Sequence, residues 1–180
     1  MRRIVKREPL PALSDYVRKH KPTRWEDVPW EIRANVREYI LNSEQSGFSA
    51  YTERRLDGAD ESLHVDHFLK QQLCTVRQRF EWTNLFVDEH AGSEQYGADY
   101  KDNSKNSPVN SLEDNQKLIN PSMEDPHDYF EYVANGDIVP KSGLLLVKFW
   151  TRRKAPYLSR KNESNVQQRR LGEVLCGVPE

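Results

Sequence analysis

Residues 63–67 read Leu-His-Val-Asp-His, and this alternation of apolar and polar side chains decides which of them face the core of the fold. Successive side chains of a β-strand point to opposite faces of the sheet. Leu63 and Val65 are therefore expected to face the core. His64 and Asp66 then lie together on the other face, so the sequence predicts one strand face that carries two ligand-type side chains.

This stretch and the residues after it supply what a phosphodiester-cleaving site needs. Such a reaction requires an in-line water, a base that takes its proton, and a cation. Asp66 offers a hard oxygen ligand and His90 an imidazole, and this mixed pair suits Mg²⁺, Mn²⁺ or a late transition metal. His67 is the candidate general base, since an imidazole with an ordinary pKa near ~6.5 is mostly neutral at cellular pH.

Two further polar residues have roles that the sequence leaves open. Asn84 either holds the ring of His67 in place or binds the metal directly. His64 is an added ligand, a phosphate contact or simply a residue at the end of a strand. A histidine taken alone is usually an ordinary surface or hydrogen-bonded residue. The combination of these residues favours a metal-dependent nuclease site.

Around this stretch the sequence predicts a β-hairpin formed by residues 48–52 and 62–66, with a turn at residues 56–60. Residues 82–90 are expected to form a loop that enters a short helix carrying His90. The predicted order is strand, strand, helix.

The N-terminal third is predicted to be helical. A first helix begins over Pro11 to Val17, and a stronger one runs from Pro29 to Glu44, where apolar residues recur at helical spacing. The stretch Thr23 to Glu26 has the form of a capping box and predicts a short helix between them. Gly47 suits the end of the second helix.

The C-terminal half is more polar. Residues 93–116 predict a long loop or a substrate-binding insertion. Asn135-Gly136 predicts a hairpin between residues 129–133 and 138–139. Residues 144–150 are apolar and suit a strand, and the tail over residues 141–180 is locally basic.

Composition narrows the class of protein. A chain of 180 residues buries one sizeable core. Lysine and arginine total 27 against 28 acidic residues, so any basic surface must be local. No apolar run reaches the ~18 residues of a membrane span, and the start does not resemble a signal peptide, which predicts a cytoplasmic protein away from membranes. Cys74 and Cys176 form no metal-binding pair and are expected to be free thiols.

The chain resembles the HNH endonuclease family, in particular the PtuB-like nucleases of Septu-type and retron-associated antiphage defence. The resemblance runs from Met1 to about Pro140. The matching blocks, in chain order, are Met1–Lys6, Gly47–Arg55, His64–Phe68, Trp82–Phe86, Asn120–Pro121, Asp128–Tyr132 and Gly136–Pro140.

The resemblance implies an α+β fold, an HNH ββα-metal nuclease core with N-terminal helices and an additional C-terminal hairpin. It implies that Asp66 and His90 are metal ligands, that His67 is the general base, and that Asn84 is the orienting or coordinating amide. It also implies a PtuA-like ATPase as partner, and for retron-associated members a reverse transcriptase and its DNA product.

One departure from the family concerns its structural zinc site. Relatives carry cysteines where this chain has the Ser49–Thr52 stretch, Glu89 and Tyr96. A structural zinc is therefore expected to be absent, and packing or partner contacts must offset its loss, since zinc contributes about 10 kcal/mol to finger peptides.

The expected organisation has three parts: an N-terminal helical segment over residues 1–47, an HNH core over residues 48–140 with a polar insertion at 93–116, and a divergent basic tail over residues 141–180. The expected activity is metal-dependent hydrolysis of nucleic acid, with DNA as the family default and RNA, including tRNA, as an alternative. The competing hypothesis is a non-catalytic adaptor that assembles with the ATPase.

Overall fold

A computed structural model describes residues 2–58, 62–90, 97–102, 107, 109–134 and 138–141. The chain divides into two compact units, Met1–Tyr129 and Phe130–Glu180. Both helices and strands occur, so the predicted α+β class is confirmed at that level.

The α-helices are α1 Pro11–His20, α2 Trp30–Tyr39, α3 Val76–Arg79, α4 Gly97–Asp102 and α5 Leu112–Gln116. The strands are β1 Leu63–His67, β2 Leu85–Glu89, β3 Phe130–Tyr132 and β4 Ile138–Pro140. Three short 3₁₀ turns, Trp25–Asp27, Trp82–Asn84 and Pro126–Asp128, and one π-helical turn, Ile40–Glu44, complete the first unit.

The predicted helices of the N-terminal third are confirmed. The second one runs from Trp30 and ends in the π-helical turn before Gly47, whose φ of +78° is a conformation that glycine adopts without strain. The short helix before it also forms. Its capping carboxylate is Asp27 and not Glu26, because Asp27 accepts the backbone N–H groups of Thr23 and Arg24.

The predicted hairpin between residues 48–52 and 62–66 is wrong. β1 pairs with β2 in antiparallel register, from Leu63 opposite Glu89 to His67 opposite Leu85. The predicted helix entry over residues 82–90 is wrong for the same reason, because residues 85–89 form this strand. A strand buried on both faces reads as a continuous apolar run and lacks the alternation that marks a half-buried strand.

Residues 48–52 form a turn in place of the predicted strand. The hydroxyl of Ser49 accepts the backbone N–H groups of Tyr51 and Thr52. Glu53 then adopts φ +56°, and an isolated bridge joins Phe48 to Arg55. The segment therefore folds back on itself and delivers Ser49 and Tyr51 to the sheet.

The core of the first unit lies between helices α1 and α2 and one face of the β1–β2 sheet. Leu63, Leu85 and Val87 are buried in it, and Val65 packs against it, as the alternation in β1 predicts. The other core residues are Leu13, Trp25, Val28, Val36, Ile40, Leu41, Leu56 and Trp82.

The prediction of a long polar loop over residues 93–116 is wrong for two parts of that range, because Gly97–Asp102 form α4 and Leu112–Gln116 form α5. Ala98 and Val109 are buried, and Ser111 caps α5 by accepting the N–H of Asp114. These short helices are held by side-chain caps and single buried residues, so they show no apolar periodicity. Residues 91–96, 103–106 and 108 lie outside the described ranges.

The second unit contains the hairpin of β3 and β4, with Phe130 opposite Pro140 and Tyr132 opposite Ile138. The predicted C-terminal hairpin is thereby confirmed. Its turn residues 135–137, the predicted strand over residues 144–150, Cys176 and the basic tail beyond Lys141 lie outside the described residues.

Candidate active site

One face of the β1–β2 sheet carries the ligand-type side chains. His64 lies opposite Asp88, and Asp66 lies opposite Phe86. The ladder continues past β2, because the N–H of His90 donates to the carbonyl of Ser62 at 3.0 Å. Since side chains alternate along a strand, His64, Asp66, Asp88 and His90 all belong to the face that points away from the core. We call these four residues the polar face.

His90 is the first residue after β2, so the prediction that a helix carries it is wrong. Its ring stacks on that of His64 with a centroid distance of 3.8 Å and an interplanar angle of 12°. Its Nδ1 lies 3.2 Å from a carboxylate oxygen of Asp99 in α4. The side chain of His90 is 57% exposed. The structure thus brings His64 and His90 together at the outer end of the polar face.

His64 is the more enclosed member of this pair. Burial lowers its pKa below the ordinary value, and the negative charge of Asp66 partly opposes that effect. Its buried Nδ1 has no hydrogen-bond partner among the described residues. Buried nitrogens of this kind are rare in folded proteins and invite a ligand.

Asp66 is buried and is already engaged by two donors. The hydroxyl of Tyr51 donates to its Oδ2, and the ammonium of Lys101 lies 3.4 Å from the same oxygen. Burial and the Asp66 carboxylate together raise the pKa of Tyr51 well above its usual value, so this hydroxyl keeps its proton and stays a donor.

Lys101 enters the site from α4 and is only 3% exposed. Its ammonium donates to the carbonyl of His67 at 2.8 Å and to Oδ1 of Asp102 at 2.5 Å. Burial raises the pKa of Asp102 to about 7, with the nearby charge of Asp66 as the next contribution. The inner end of the polar face therefore adjoins an ion cluster in which Lys101 faces the carboxylates of Asp66 and Asp102.

Helix α4 is fixed against the sheet by Asp88. The Oδ2 of Asp88 accepts the N–H of Ala98 at 2.8 Å, and its Oδ1 accepts the hydroxyl of Ser49 at 2.6 Å. Gly97 sits so close that a Cβ there would lie 2.6 Å from Oδ2 of Asp88, and its φ of +72° also favours glycine. Burial raises the pKa of Asp88 to about 6 despite these bonds.

His67 lies on the opposite side of β1, with its ring edge-on to Trp25 at a centroid distance of 5.4 Å. Its Nε2 is 2.9 Å from the carbonyl oxygen of Arg79. A carbonyl only accepts, so Nε2 carries the proton and Nδ1 of the neutral ring holds the lone pair. Burial lowers the pKa of His67, with Asp66 opposing, which favours the neutral ring. The residue is 3% exposed.

Asn84 ties together two parts of the loop that separates β1 from β2, its start at Leu69 and the helix α3 at Gln78. Its Oδ1 accepts the N–H of Leu69 at 2.7 Å, and its Nδ2 donates to the carbonyl of Gln78 at 3.0 Å. Gln78 directly precedes Arg79, the residue whose carbonyl binds His67. The structure therefore places Asn84 where it positions His67 through the loop backbone, and its described bonds go to this loop.

Sequence reasoning missed Tyr51, Asp88, Lys101 and Asp102. Asp88 follows from period-2 alternation once residues 85–89 are recognised as a strand, since residues 86, 88 and 90 then share one face. Lys101 and Asp102 carry no such signal, because they come from a short helix in a segment whose composition is typical of a loop.

The donor chemistry of the polar face suits a divalent ion, since it combines carboxylates with imidazoles and includes the unpartnered Nδ1 of His64. Across the described ranges, however, no three histidine, cysteine or acidic side chains are arranged around a common point that could hold an ion. The nearest cation to Asp66 is the ammonium of Lys101.

Comparison with protein-family models, with curated proteins and with solved structures gives no match for this chain. None of the described helices is long and apolar enough to cross a membrane.

Proposed function

We propose that this chain is a metal-dependent endonuclease of the HNH type that hydrolyses phosphodiester bonds in nucleic acid. The observation that carries the proposal is the bond between Nε2 of His67 and the carbonyl of Arg79. It selects the tautomer in which Nδ1 can accept a proton, and this is the state that a general base needs.

The arrangement of the chain supports the proposal. Two antiparallel strands, β1 and β2, are joined by the loop that Asn84 fixes, and the next described element is the helix α4. This is the order of an HNH ββα-metal core. The candidate base ends β1, the amide lies just before β2, and α4 reaches back to Asp66.

In the proposed reaction His67 takes a proton from the attacking water, and Asn84 keeps the Arg79 carbonyl in position so that the ring does not turn. Asp66 and His90 would hold the divalent ion, with His64, which lies between them on the polar face, as an added ligand or phosphate contact. Because Asp66 lies at the inner end of this face and His90 at its outer end, the two side chains must approach each other when the ion binds. When bound, such an ion stabilises the charge that develops on the phosphate and on the leaving oxygen. Because His67 is buried and lies on the other side of β1 from Asp66 and His90, the end of β1 and the neighbours of His67 must move before one phosphate reaches both Nδ1 and the ion.

Polar bonds are proposed to take over the role of the family's structural zinc. At the positions of the expected cysteines, Ser49 holds its own turn and bonds to Asp88, and Glu89 pairs with Arg54 at 2.7 Å. These contacts join the 49–52 turn to β2, which is what a shared zinc ion does for two chain segments.

The proposed setting is antiphage defence together with a PtuA-like ATPase, and with a retron reverse transcriptase and its DNA where these are present. A nuclease of this kind harms its host when always active, so the partner would restrain it. Duplex DNA is the default substrate and RNA the alternative. The segment over residues 93–116 and the basic tail over residues 141–180 are proposed to select between them.

The test is cleavage of DNA and RNA by the complex with Mg²⁺ or Mn²⁺. The variant His67→Ala should lose at least about 100-fold in rate, the usual contribution of a general base. His20→Ala is the matched control, since His20 is an exposed histidine of α1 that stacks on Tyr16. Unchanged cleavage by His67→Ala would refute the mechanism.

A second candidate function, a non-catalytic adaptor for the ATPase, is favoured by a specific observation. Asp66 already accepts a hydrogen bond from Tyr51 and is paired with the positive charge of Lys101, and His67 is enclosed. Calorimetric titration with Mn²⁺ separates the two functions. An adaptor shows no divalent binding that Asp66→Ala removes, either alone or in complex with its partner.

A further inference from the structure

The ammonium of Lys101 lies inside a shell of oxygen atoms. It is 2.5 Å from Oδ1 of Asp102, 2.8 Å from the carbonyl oxygen of His67, and 3.4 Å from Oδ2 of Asp66. Carboxylate and backbone carbonyl oxygens are also the ligands that Mg²⁺ and Mn²⁺ prefer. A protein cation thus takes the place beside Asp66 that a metal cation would require.

The two cations cannot share this place. Unit charges a few ångströms apart repel each other by several kcal/mol at the effective dielectric constant of a protein site, and a divalent ion doubles the effect. With its side chain 4% exposed, Lys101 has no water to screen that repulsion. Lysine has a flexible four-carbon stem, so its ammonium can leave without displacement of the helix backbone.

We propose that Lys101 is a built-in competitor for the metal ion: its ammonium neutralises Asp66 in the chain alone, and a divalent cation binds Asp66 only when Lys101 withdraws. The inference rests on the metal role of Asp66 in the proposed function. This competition would keep the nuclease inactive through the chain itself. The same ammonium also bonds to the carbonyl of His67, so it restrains the proposed base and the metal ligand Asp66 together.

The experiment measures Mn²⁺ binding to the full chain by calorimetry and does not depend on cleavage. Lys101→Met should bind Mn²⁺ at least about ten-fold more tightly than the unchanged protein, since it removes a like charge next to the ligand. Adding Asp66→Asn to Lys101→Met should abolish that gain. Lys117→Met is the control, because Lys117 is exposed and pairs with Asp114 of α5.

A second variant covers the case in which loss of a buried cation prevents folding. Lys101→Met combined with Asp102→Asn removes one charge of each sign, and circular dichroism checks that it folds. It should bind Mn²⁺ more tightly than Asp102→Asn alone.

Two results would overturn the inference, and they differ in what they say of the function. If Asp66→Asn weakens Mn²⁺ binding to the unchanged chain and Lys101→Met does not tighten it, the metal role of Asp66 stands and Lys101 is no competitor. If no variant shows Mn²⁺ binding that depends on Asp66, both the competition and the metal role fail.

Discussion

The side-chain amide of Gln45 pairs with both backbone groups of Val87, and so it takes the place of a third strand along β2. Its Nε2 donates to the carbonyl of Val87 at 2.8 Å, and its Oε1 accepts the N–H of Val87 at 2.7 Å. The π-helical turn that ends α2 puts Gln45 in this position. The backbone N–H and carbonyl groups at this outer edge of the two-stranded sheet are thereby hydrogen-bonded at the centre of the candidate site.

Replacing Gln45 should therefore destabilise the fold more than an ordinary polar substitution. Gln45→Ala leaves the buried N–H of Val87 without a partner and its carbonyl with only the N–H of Ala50 at 3.4 Å, which costs about 1–3 kcal/mol of unfolding free energy. Urea denaturation followed by circular dichroism measures it. Gln72→Ala, at an exposed position, should change the free energy by less than about 0.5 kcal/mol. Equal effects of the two substitutions would contradict the role of Gln45.

Asp88 should make stability depend on pH. Its pKa is raised from 3.8 to about 6, chiefly by burial, so the folded chain holds this proton more tightly than the unfolded chain. The resulting stability is fully present below about pH 4 and is lost as pH rises through about 6.

Asp88→Asn mimics the protonated carboxyl and keeps an acceptor for Ala98 and a donor towards Ser49. Its unfolding free energy should exceed that of the unchanged protein by about 1–3 kcal/mol at pH 8, and the difference should shrink towards pH 4. Urea titrations across this range measure the difference. Asp15→Asn, on the exposed face of α1, is the control and should show no such trend. A pH-independent difference for Asp88→Asn would reject the buried-proton explanation.

Gly97 should resist substitution because of its contact with the same carboxylate. In Gly97→Ala the new Cβ lies 2.6 Å from Oδ2 of Asp88, at a backbone φ of +72°. We expect a loss of about 1–3 kcal/mol in stability, from left-handed strain and the displaced bond to α4. Thermal denaturation measures it. Gly58→Ala, whose Cβ would meet only Leu41 at an ordinary 3.8 Å, is the matched control and should cost less.

The parts of the fold that sequence predicted are those with a strong local pattern. Helices α1 and α2 have an apolar face at helical spacing, and β1 alternates strictly, so their type and their buried residues follow from the chain itself. The partner of β1 was misassigned because Leu85, Phe86 and Val87 are apolar on both faces and are followed by two acidic residues, so β2 carries no alternation. The choice between two candidate strands is made by tertiary packing, since only Leu85 and Val87 continue the core that Leu63 begins.

The residues of the candidate site likewise fall into those whose position the sequence predicts and those whose position it does not. His64 and Asp66 share a face because of the alternation in β1, which the sequence predicts, whereas His90 joins that face only because residues 85–89 form a strand, which the sequence did not predict. The position of Lys101 depends on α4, a helix of six residues whose placement depends on contacts with β1 and β2, among them the hydrogen bond to Asp88, and on the absence of a side chain at Gly97. Long-range contacts of that kind produce no periodic pattern in the sequence.

Asn84 should act on His67 through the loop. Asn84→Ala removes the acceptor of the Leu69 N–H and the donor to Gln78, so the loop carrying the Arg79 carbonyl loses its anchor. Hydrogen exchange should show loss of protection at the Leu69 amide, and cleavage should fall by about 10–100-fold if His67 is the base. Asn42→Ala, at an exposed position outside the candidate site, is the control and should leave both unchanged. Protection retained at Leu69 in Asn84→Ala would argue against this role.

The last prediction concerns the protonation of His67. Burial against Trp25 lowers its pKa, and the neighbouring Asp66 carboxylate opposes that shift. NMR titration of the ring should therefore give a pKa below 6.5. Asp66→Asn should lower the pKa further, because it removes the charge that favours the imidazolium, whereas Asp15→Asn should not change it. Nitrogen shifts should report the proton on Nε2, as the Arg79 carbonyl requires. The unfolded chain takes up this proton more readily than the folded chain. The stability that the neutral His67 ring contributes is therefore present above about pH 6.5 and is lost as pH falls from there through the lower pKa of the folded state. A pKa that rises in Asp66→Asn, or a ring with its proton on Nδ1, would contradict the assignment of His67 as a preorganised base.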